Sequence, residues 1–266
     1  MNNNKLPVRF TGQHFTIHKE LITDAIGVAK IEANDIVLDI GAGKGFLTHS
    51  LADQCATIIA IENDELLLAI LRKKFTHNPS VKIVDCDFRD FTIPRENFKV
   101  VSNIPFSITS YILKSLMYNH AEYFLGGALI MQLEPARKLF SEKVYNPYIV
   151  FYHTFFNLKL VYEIAPESFQ PPPKVKSVLL RIERKKTSMS CGMKEKYLGF
   201  LRYLLQKPDL TVKIVLKLLF RKSQVREIAV KHGIDLDCKV VRLSAEQWAG
   251  CFLEMLHKVP EKYHPT

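Results

Sequence analysis

Two hydrophobic periods divide the chain. Over roughly the first 180 residues, short runs rich in β-branched and aromatic residues alternate with stretches whose apolar positions recur at helical spacing. The strand pattern falls at Ile36–Ile40, Ile58–Glu62, Val81–Asp87, Lys99–Ile104, Ala128–Leu133, Leu158–Ile164 and Ser177–Ile182. Helical spacing occupies Phe46–Asp53, Asp64–Phe75 and Thr109–Tyr118. Such alternation predicts a doubly wound α/β sheet. Pro171-Pro172-Pro173 breaks any helix and leads into the last strand. After Arg184-Lys185-Lys186 the strand signals fade, and Tyr197–Leu205, Thr211–Lys222 and Gln247–Leu256 read as helices. The expected division is an α/β domain over residues 1–184 and a small helical domain over 185–266, with a linker near 183–190. There is no internal repeat and no low-complexity tract.

In doubly wound sheets the ligand crevice lies beyond the carboxyl ends of the strands, where the strand order reverses. Gly41, Glu62, Asp87 and Asn103 each fall at or just past the end of a predicted strand. Four polar or glycine positions from four strands are therefore expected to meet in one crevice.

Composition sharpens this only in places. A chain of 266 residues accommodates one large domain, or one with an appendage. The hydrophobic share of 47% belongs to a globular protein. No apolar run reaches the ~18 residues of a membrane span, and Met1-Asn2-Asn3-Asn4-Lys5 has no signal-peptide core. The expectation is a cytoplasmic protein with no membrane contact. Cysteines 55, 86, 191, 238 and 251 form no Cys-x-x-Cys pair, which suits a reducing compartment and speaks against a structural metal.

Charge is uneven. Residues 1–180 carry 19 Lys and Arg against 18 Asp and Glu, whereas residues 181–266 carry 18 against 9. A near-neutral part followed by a basic part suggests chemistry first and polyanion binding second. An ordinary solvated basic surface is the competing reading. Within Thr211–Lys222, Lys213, Lys217 and Arg221 recur at i, i+4 and i+8, opposite Val212, Val215 and Leu219. Lys222-Ser223-Gln224-Val225-Arg226 extends this stripe, a candidate RNA contact.

Candidate chemistry sits in two motifs. Val37-Leu38-Asp39-Ile40 runs into Gly41-Ala42-Gly43-Lys44-Gly45 and then a helix. Glycines let the backbone approach a ligand closely. Glu62, ending the next strand, stands where an acid bonds ribose hydroxyls in dinucleotide folds. The third glycine comes one residue earlier than in the pyrophosphate loop of NAD-binding proteins. Asp87, ending the third strand, is placed to accept from an adenine amino group. The second motif is Asn103-Ile104-Pro105-Phe106: a side-chain amide, a stiff turn and an aromatic ring, suited to holding a planar base.

Together these motifs resemble the S-adenosylmethionine-dependent rRNA adenine-N6 methyltransferases. Within them the chain is most similar to the Erm enzymes, which methylate 23S rRNA and confer macrolide, lincosamide and streptogramin B resistance. The resemblance runs over nearly the whole chain. It implies a Rossmann-like class I methyltransferase sheet with a small C-terminal helical domain, S-adenosyl-L-methionine as cofactor, and Asp87 with Phe88 around the cofactor's adenine. Phe10-Thr11-Gly12-Gln13-His14-Phe15-Thr16 matches the family segment that closes over the cofactor, so His14 and Thr16 are candidate contacts; many relatives have Asn in place of His14. Phe106 stands where relatives carry Tyr or Phe and is expected to stack on the target base. Phe169, in Glu167-Ser168-Phe169-Gln170-Pro171-Pro172-Pro173, matches the family position for the other face of that clamp, with a core role the alternative.

The implied reaction is methyl transfer to adenine N6. The expected arrangement has the Asn103 side-chain oxygen and the Ile104 carbonyl accepting the two N6 hydrogens, Asn103 also bordering the cofactor. No metal is needed. The adenine must be unpaired or flipped out of its stack, and a monomer is expected. Two alternatives share these motifs: the sister enzyme that dimethylates small-subunit (16S) rRNA, and a nucleic-acid-binding factor of the same fold without catalysis. Asn-Ile-Pro-Phe, where the sister group typically has Asn-Leu-Pro-Tyr, and the aromatic run Tyr145–Phe156 favour the Erm reading. The intact cofactor and base motifs count against the non-catalytic one.

Overall fold

A computed structural model of the chain describes the backbone of Phe15 and Thr16 and residues 18–265 apart from Ser188. The order begins with β1 (Phe15–Thr16), α1 (Lys19–Ala29), β2 (Ile36–Ile40), α2 (Phe46–Leu51), β3 (Thr57–Glu62), α3 (Glu65–Lys74) and β4 (Val81–Asp85). It continues through β5 (Phe98–Asn103), α4 (Thr109–Lys114), β6 (Phe124–Gln132), α5 (Leu133–Lys138), α6 (Pro147–Phe155), β7 (Phe156–Ile164), β8 (Phe169–Gln170) and β9 (Ser177–Arg184). Four helices follow: α7 (Lys194–Leu205), α8 (Val212–Leu216), α9 (Lys222–His232) and α10 (Ala245–Lys258).

Seven strands form one sheet in the order β4-β3-β2-β5-β6-β9-β7. The first five in that order are parallel, while β9 runs antiparallel to both β6 and β7. All seven expected strands are present, with ends moved by a few residues. The chain leaves β2 towards β3 and β4 on one side and returns to β5 on the other, so the order reverses between β2 and β5. A crevice opens at such a reversal because neighbouring connections leave on opposite faces. Separately, β1 pairs antiparallel with β8, Thr16 opposite Phe169 and Phe15 opposite Gln170.

Alternation along β2 separates two cores. Val37 joins Leu21, Ile22, Ala25, Leu47 and Leu51 beneath α1 and α2. Leu38 and Ile40 point to the other face, into a larger cluster that includes Val150, Phe151 and Phe155 of α6. That cluster runs on without a break to Tyr197, Phe200, Val215, Trp248 and Phe252 of the C-terminal helices. Position 184/185 is thus the end of a strand, while the core is shared across it.

The sequence pattern misplaced some helices. α6 is apolar and aromatic on nearly every side, so no helical stripe stands out. Asn146 starts it by accepting from Tyr148 N at 2.9 Å, and Pro147 occupies the first turn. The helix expected over Thr211–Lys222 stops at Leu216, and a new one begins at Lys222. No helix among the described residues is long and apolar enough to cross a membrane. The cysteines are unpaired.

Candidate active site

Beyond Ile40 the chain turns through Gly41, Gly43 and Gly45, with φ of 73°, 59° and 69°. L-residues resist this region because Cβ approaches the carbonyl. At Gly41 there is a second constraint: a Cβ would lie 2.8 Å from Pro105 Cγ. The glycine loop therefore packs directly on the Asn103–Phe106 turn. Gly41 and Ala42 N–H both donate to the Ile61 carbonyl, at 2.8 and 3.0 Å, which ties the loop to the end of β3.

Glu62, 5% exposed, accepts from the backbone N–H of Gly43 at 2.8 Å, Asn63 at 2.9 Å and Asp64 at 3.0 Å. A carboxylate has roughly four acceptor positions, so capacity remains for a further donor on the crevice side. Asp39, 1% exposed, accepts from Thr48 Oγ1 at 2.7 Å. Burial pushes its carboxyl up to about 7, with the charge of Glu62 adding to the shift.

Past β4, Cys86 N–H donates to the Glu62 carbonyl at 3.1 Å. Asp87 Oδ1 then accepts from Arg89 N at 2.8 Å and Arg89 Nε at 3.0 Å, and Oδ2 from Arg89 Nη2 at 2.8 Å. These bonds hold the Asp87 carboxyl below its ordinary range, so it stays an acceptor. Phe88 is buried, its ring meeting Tyr111 edge-on at 6.2 Å, and Tyr111 Oη donates to the Arg89 carbonyl at 3.1 Å.

Asn103 ends β5. Ile104 N–H donates to the Ile130 carbonyl at 3.1 Å, carrying the chain one residue further along β6. Pro105 forces the turn, and Thr109, the first residue of α4, donates its Oγ1 hydroxyl to the Phe106 carbonyl at 3.1 Å. Phe106 is half-buried.

These parts enclose a cavity of about 800 Å³. Gly41, Glu62, Asp87, Phe88, Asn103, Ile104 and Phe106 all line it. Sequence reasoning missed Asp39, Arg89, Gln132 at the end of β6, and Pro171, Pro172 and Lys174 on the rim. Asp39 did carry a signal, as a lone acid within an apolar strand. The rim residues did not, because only the fold brings them round.

Three expectations turn out differently or fall elsewhere. Phe169 is 2% exposed and packs beneath the sheet with Leu21, Ile164 and Leu179, away from the cavity lining. Its backbone pairing with Thr16 explains this, since β8 turns the ring into the core and leaves the following prolines on the rim. The basic stripe is not one helical face either: Lys213 lies in α8, Lys217 caps its end, and Arg221 precedes α9. All three are exposed. His14 lies outside the described residues, and of Thr16 only the backbone is described.

A doubly wound sheet with an acid-ended β3, a glycine loop and an Asn-Ile-Pro-Phe turn in one crevice defines an S-adenosylmethionine-dependent methyltransferase. The sequence profile for ribosomal RNA adenine dimethylase matches residues 4–256, and the chain belongs to that family. An rRNA adenine N-6-methyltransferase of Bacteroides fragilis is 59% identical over 266 residues, all of both chains. One from Bacillus licheniformis is 34% identical, covering 97% of this chain and 90% of its own. The crystal structure of the 23S rRNA methyltransferase ErmE superposes with a TM-score of 0.79 at 25% identity, covering 91% of this chain and 99% of that one.

Proposed function

We propose that the protein moves methyl groups from S-adenosyl-L-methionine to N6 of an unpaired or flipped adenine in 23S rRNA, and so confers macrolide, lincosamide and streptogramin B resistance. The observation that carries this is the packing of the Gly41 loop on the Asn103–Phe106 turn inside one crevice. A cofactor end and a base end then share a wall. The choice of 23S rRNA is supported by the likeness to ErmE, itself a 23S rRNA methyltransferase.

The residues fit the cofactor. It is cationic at sulfur and at its amino group, and the buried carboxyl of Glu62 lines the cavity with Asp39 as a polar neighbour. When bound, S-adenosylmethionine supplies an electrophilic methyl group. Glu62 accepts from the ribose hydroxyls, and Asp87 accepts from the adenine amino group with Phe88 against the ring.

At the other end, Phe106 stacks on the target base, a contact worth about 1–3 kcal/mol. The N6 lone pair is delocalised into the ring and is a poor nucleophile. The Asn103 side-chain oxygen and the Ile104 carbonyl accept the two N6 hydrogens, which favours the tetrahedral nitrogen of the transition state over the planar ground state. Positioning supplies much of the remainder. The proton leaves after transfer, so a strong base is not required. We place the protein in the cytoplasm as a monomer.

Labelled cofactor incubated with deproteinised total rRNA tests the reading. Label should appear on an adenine of the 23S molecule, while label confined to 16S rRNA, or none, would overturn it. Asn103→Ala should lower turnover roughly 10²–10³-fold with cofactor still bound. Normal turnover in that variant would exclude the amine-acceptor role.

A further inference from the structure

β6 delivers Gln132 to the crevice wall and passes directly into α5, whose six residues advance about 9 Å. The chain then loops from Leu139 to Asn146 before α6. This loop is strapped to the C-terminal helices, since Val144 N–H donates to the Val241 carbonyl at 2.9 Å. Between the loop and the start of α10 lies a second cavity of about 290 Å³, lined by Phe140, Glu142, His153, Arg242 and Ser244 among others.

Its parts do not look like leftover core. Phe140 remains 38% exposed although apolar side chains lie behind it. Its ring is held edge-on by His153 at 5.9 Å, and His153 Nε2 is itself fixed on the Leu139 carbonyl at 2.7 Å. Arg242 is exposed and makes no salt bridge among the described residues. Lys138 and Lys143, on the same segment, are likewise exposed and outside every ion pair described. Glu142 and Arg242 are the charged residues on the lining, with His153 beside Phe140. An exposed, rigidly held ring beside an uncommitted guanidinium suits a base and its phosphate.

We infer that this pocket binds one nucleotide of the substrate RNA flanking the methylated adenine, its base stacked on Phe140 and its phosphate on Arg242. The inference rests on the proposed reading that an adenine of an RNA strand enters the crevice. Such a strand, with its adenine in the crevice, continues along α5 and over Phe140. A second anchor of this kind keeps the strand in register and helps hold the target base out of its stack. Neither residue lines the crevice, so both act on RNA binding alone.

The test uses the full chain and a 23S-derived RNA hairpin that the wild type methylates, with 2-aminopurine placed at each position flanking the target adenine in turn. Wild-type protein should quench one of these positions on binding. Phe140→Leu should abolish that quench and weaken RNA affinity about tenfold, which is about 1.4 kcal/mol. Arg242→Gln should weaken binding and reduce the slope of log affinity against log salt by about 0.7. Both variants should keep wild-type cofactor affinity and melting temperature. Unchanged RNA affinity, salt slope and quenching in both variants would overturn the inference while methylation by the wild type leaves the function standing. Failure of the wild type to methylate 23S-derived RNA at all would instead strike the function.

Discussion

Asp39 is a carboxyl almost without water around it. It is 1% exposed, with Thr48 as its donor and Glu62 as a like-charged neighbour, and burial lifts it to about 7. The fold therefore favours the neutral form. Stability from this group is complete below the unfolded-state value near 3.8 and is lost as pH rises towards and through about 7. Asp39→Asn keeps the shape and the acceptor for Thr48 while removing the titration. Denaturant melts at pH 5 and pH 8 should show wild type losing stability on the alkaline side and the variant nearly level; parallel losses would assign the pH dependence elsewhere. At this scale much of the site was readable. Glu62 and Asn103 end strands and Gly41 and Asp87 fall one and two residues past them, and strand ends can be read from apolar runs. Arg89 and Lys174 were not readable, since nothing local says that an exposed cation will face a crevice.

Single elements show where local pattern misleads. Lys213, Lys217 and Arg221 have helical spacing, yet α8 ends at Leu216, beyond which Leu218 and Leu219 N–H reach back only three residues, to the carbonyls of Val215 and Leu216 at 3.1 Å each. The turns after Leu216 still leave all three cations exposed. If they meet the RNA backbone, replacing the three with Gln should lower affinity and flatten its salt dependence by about 0.7 for each phosphate no longer neutralised. Filter binding across a salt series checks this, and an unaltered slope would move the RNA path elsewhere. α6 is the opposite case. Its Pro147-Tyr148-Ile149-Val150-Phe151 has the composition of a strand, yet it folds as a helix. The helix wins because Tyr148 and Phe151 both pack on Tyr118, at 5.2 and 5.0 Å, and Arg202 Nη2 donates to Tyr148 Oη at 2.9 Å.

For the whole molecule, the shared core outweighs the change in sequence character at residue 185. Thr154 on α6 and Tyr197 on α7 join hydroxyls at 3.0 Å, both buried, and Phe200 packs against Trp248 and Phe252. We propose that the two parts unfold together. Phe200→Ala should cost about 3–5 kcal/mol and lower a single calorimetric transition by on the order of 10 °C. Two transitions, with only one of them shifted, would mean that residues 185–266 melt as an independent domain.

The sequence alone determined the seven sheet strands, the glycine loop after β2, the Asn-Ile-Pro-Phe turn after β5 and the excess of positive charge near the end. Each of these depends on neighbours a few residues away, through period, turn chemistry or composition. Only the tertiary structure decided that Phe169 belongs to the core, that α6 is a helix, and that Phe140 and Arg242 face one opening. Those outcomes depend on groups far apart in the chain, whose packing overrides local preference once the sheet has brought them together.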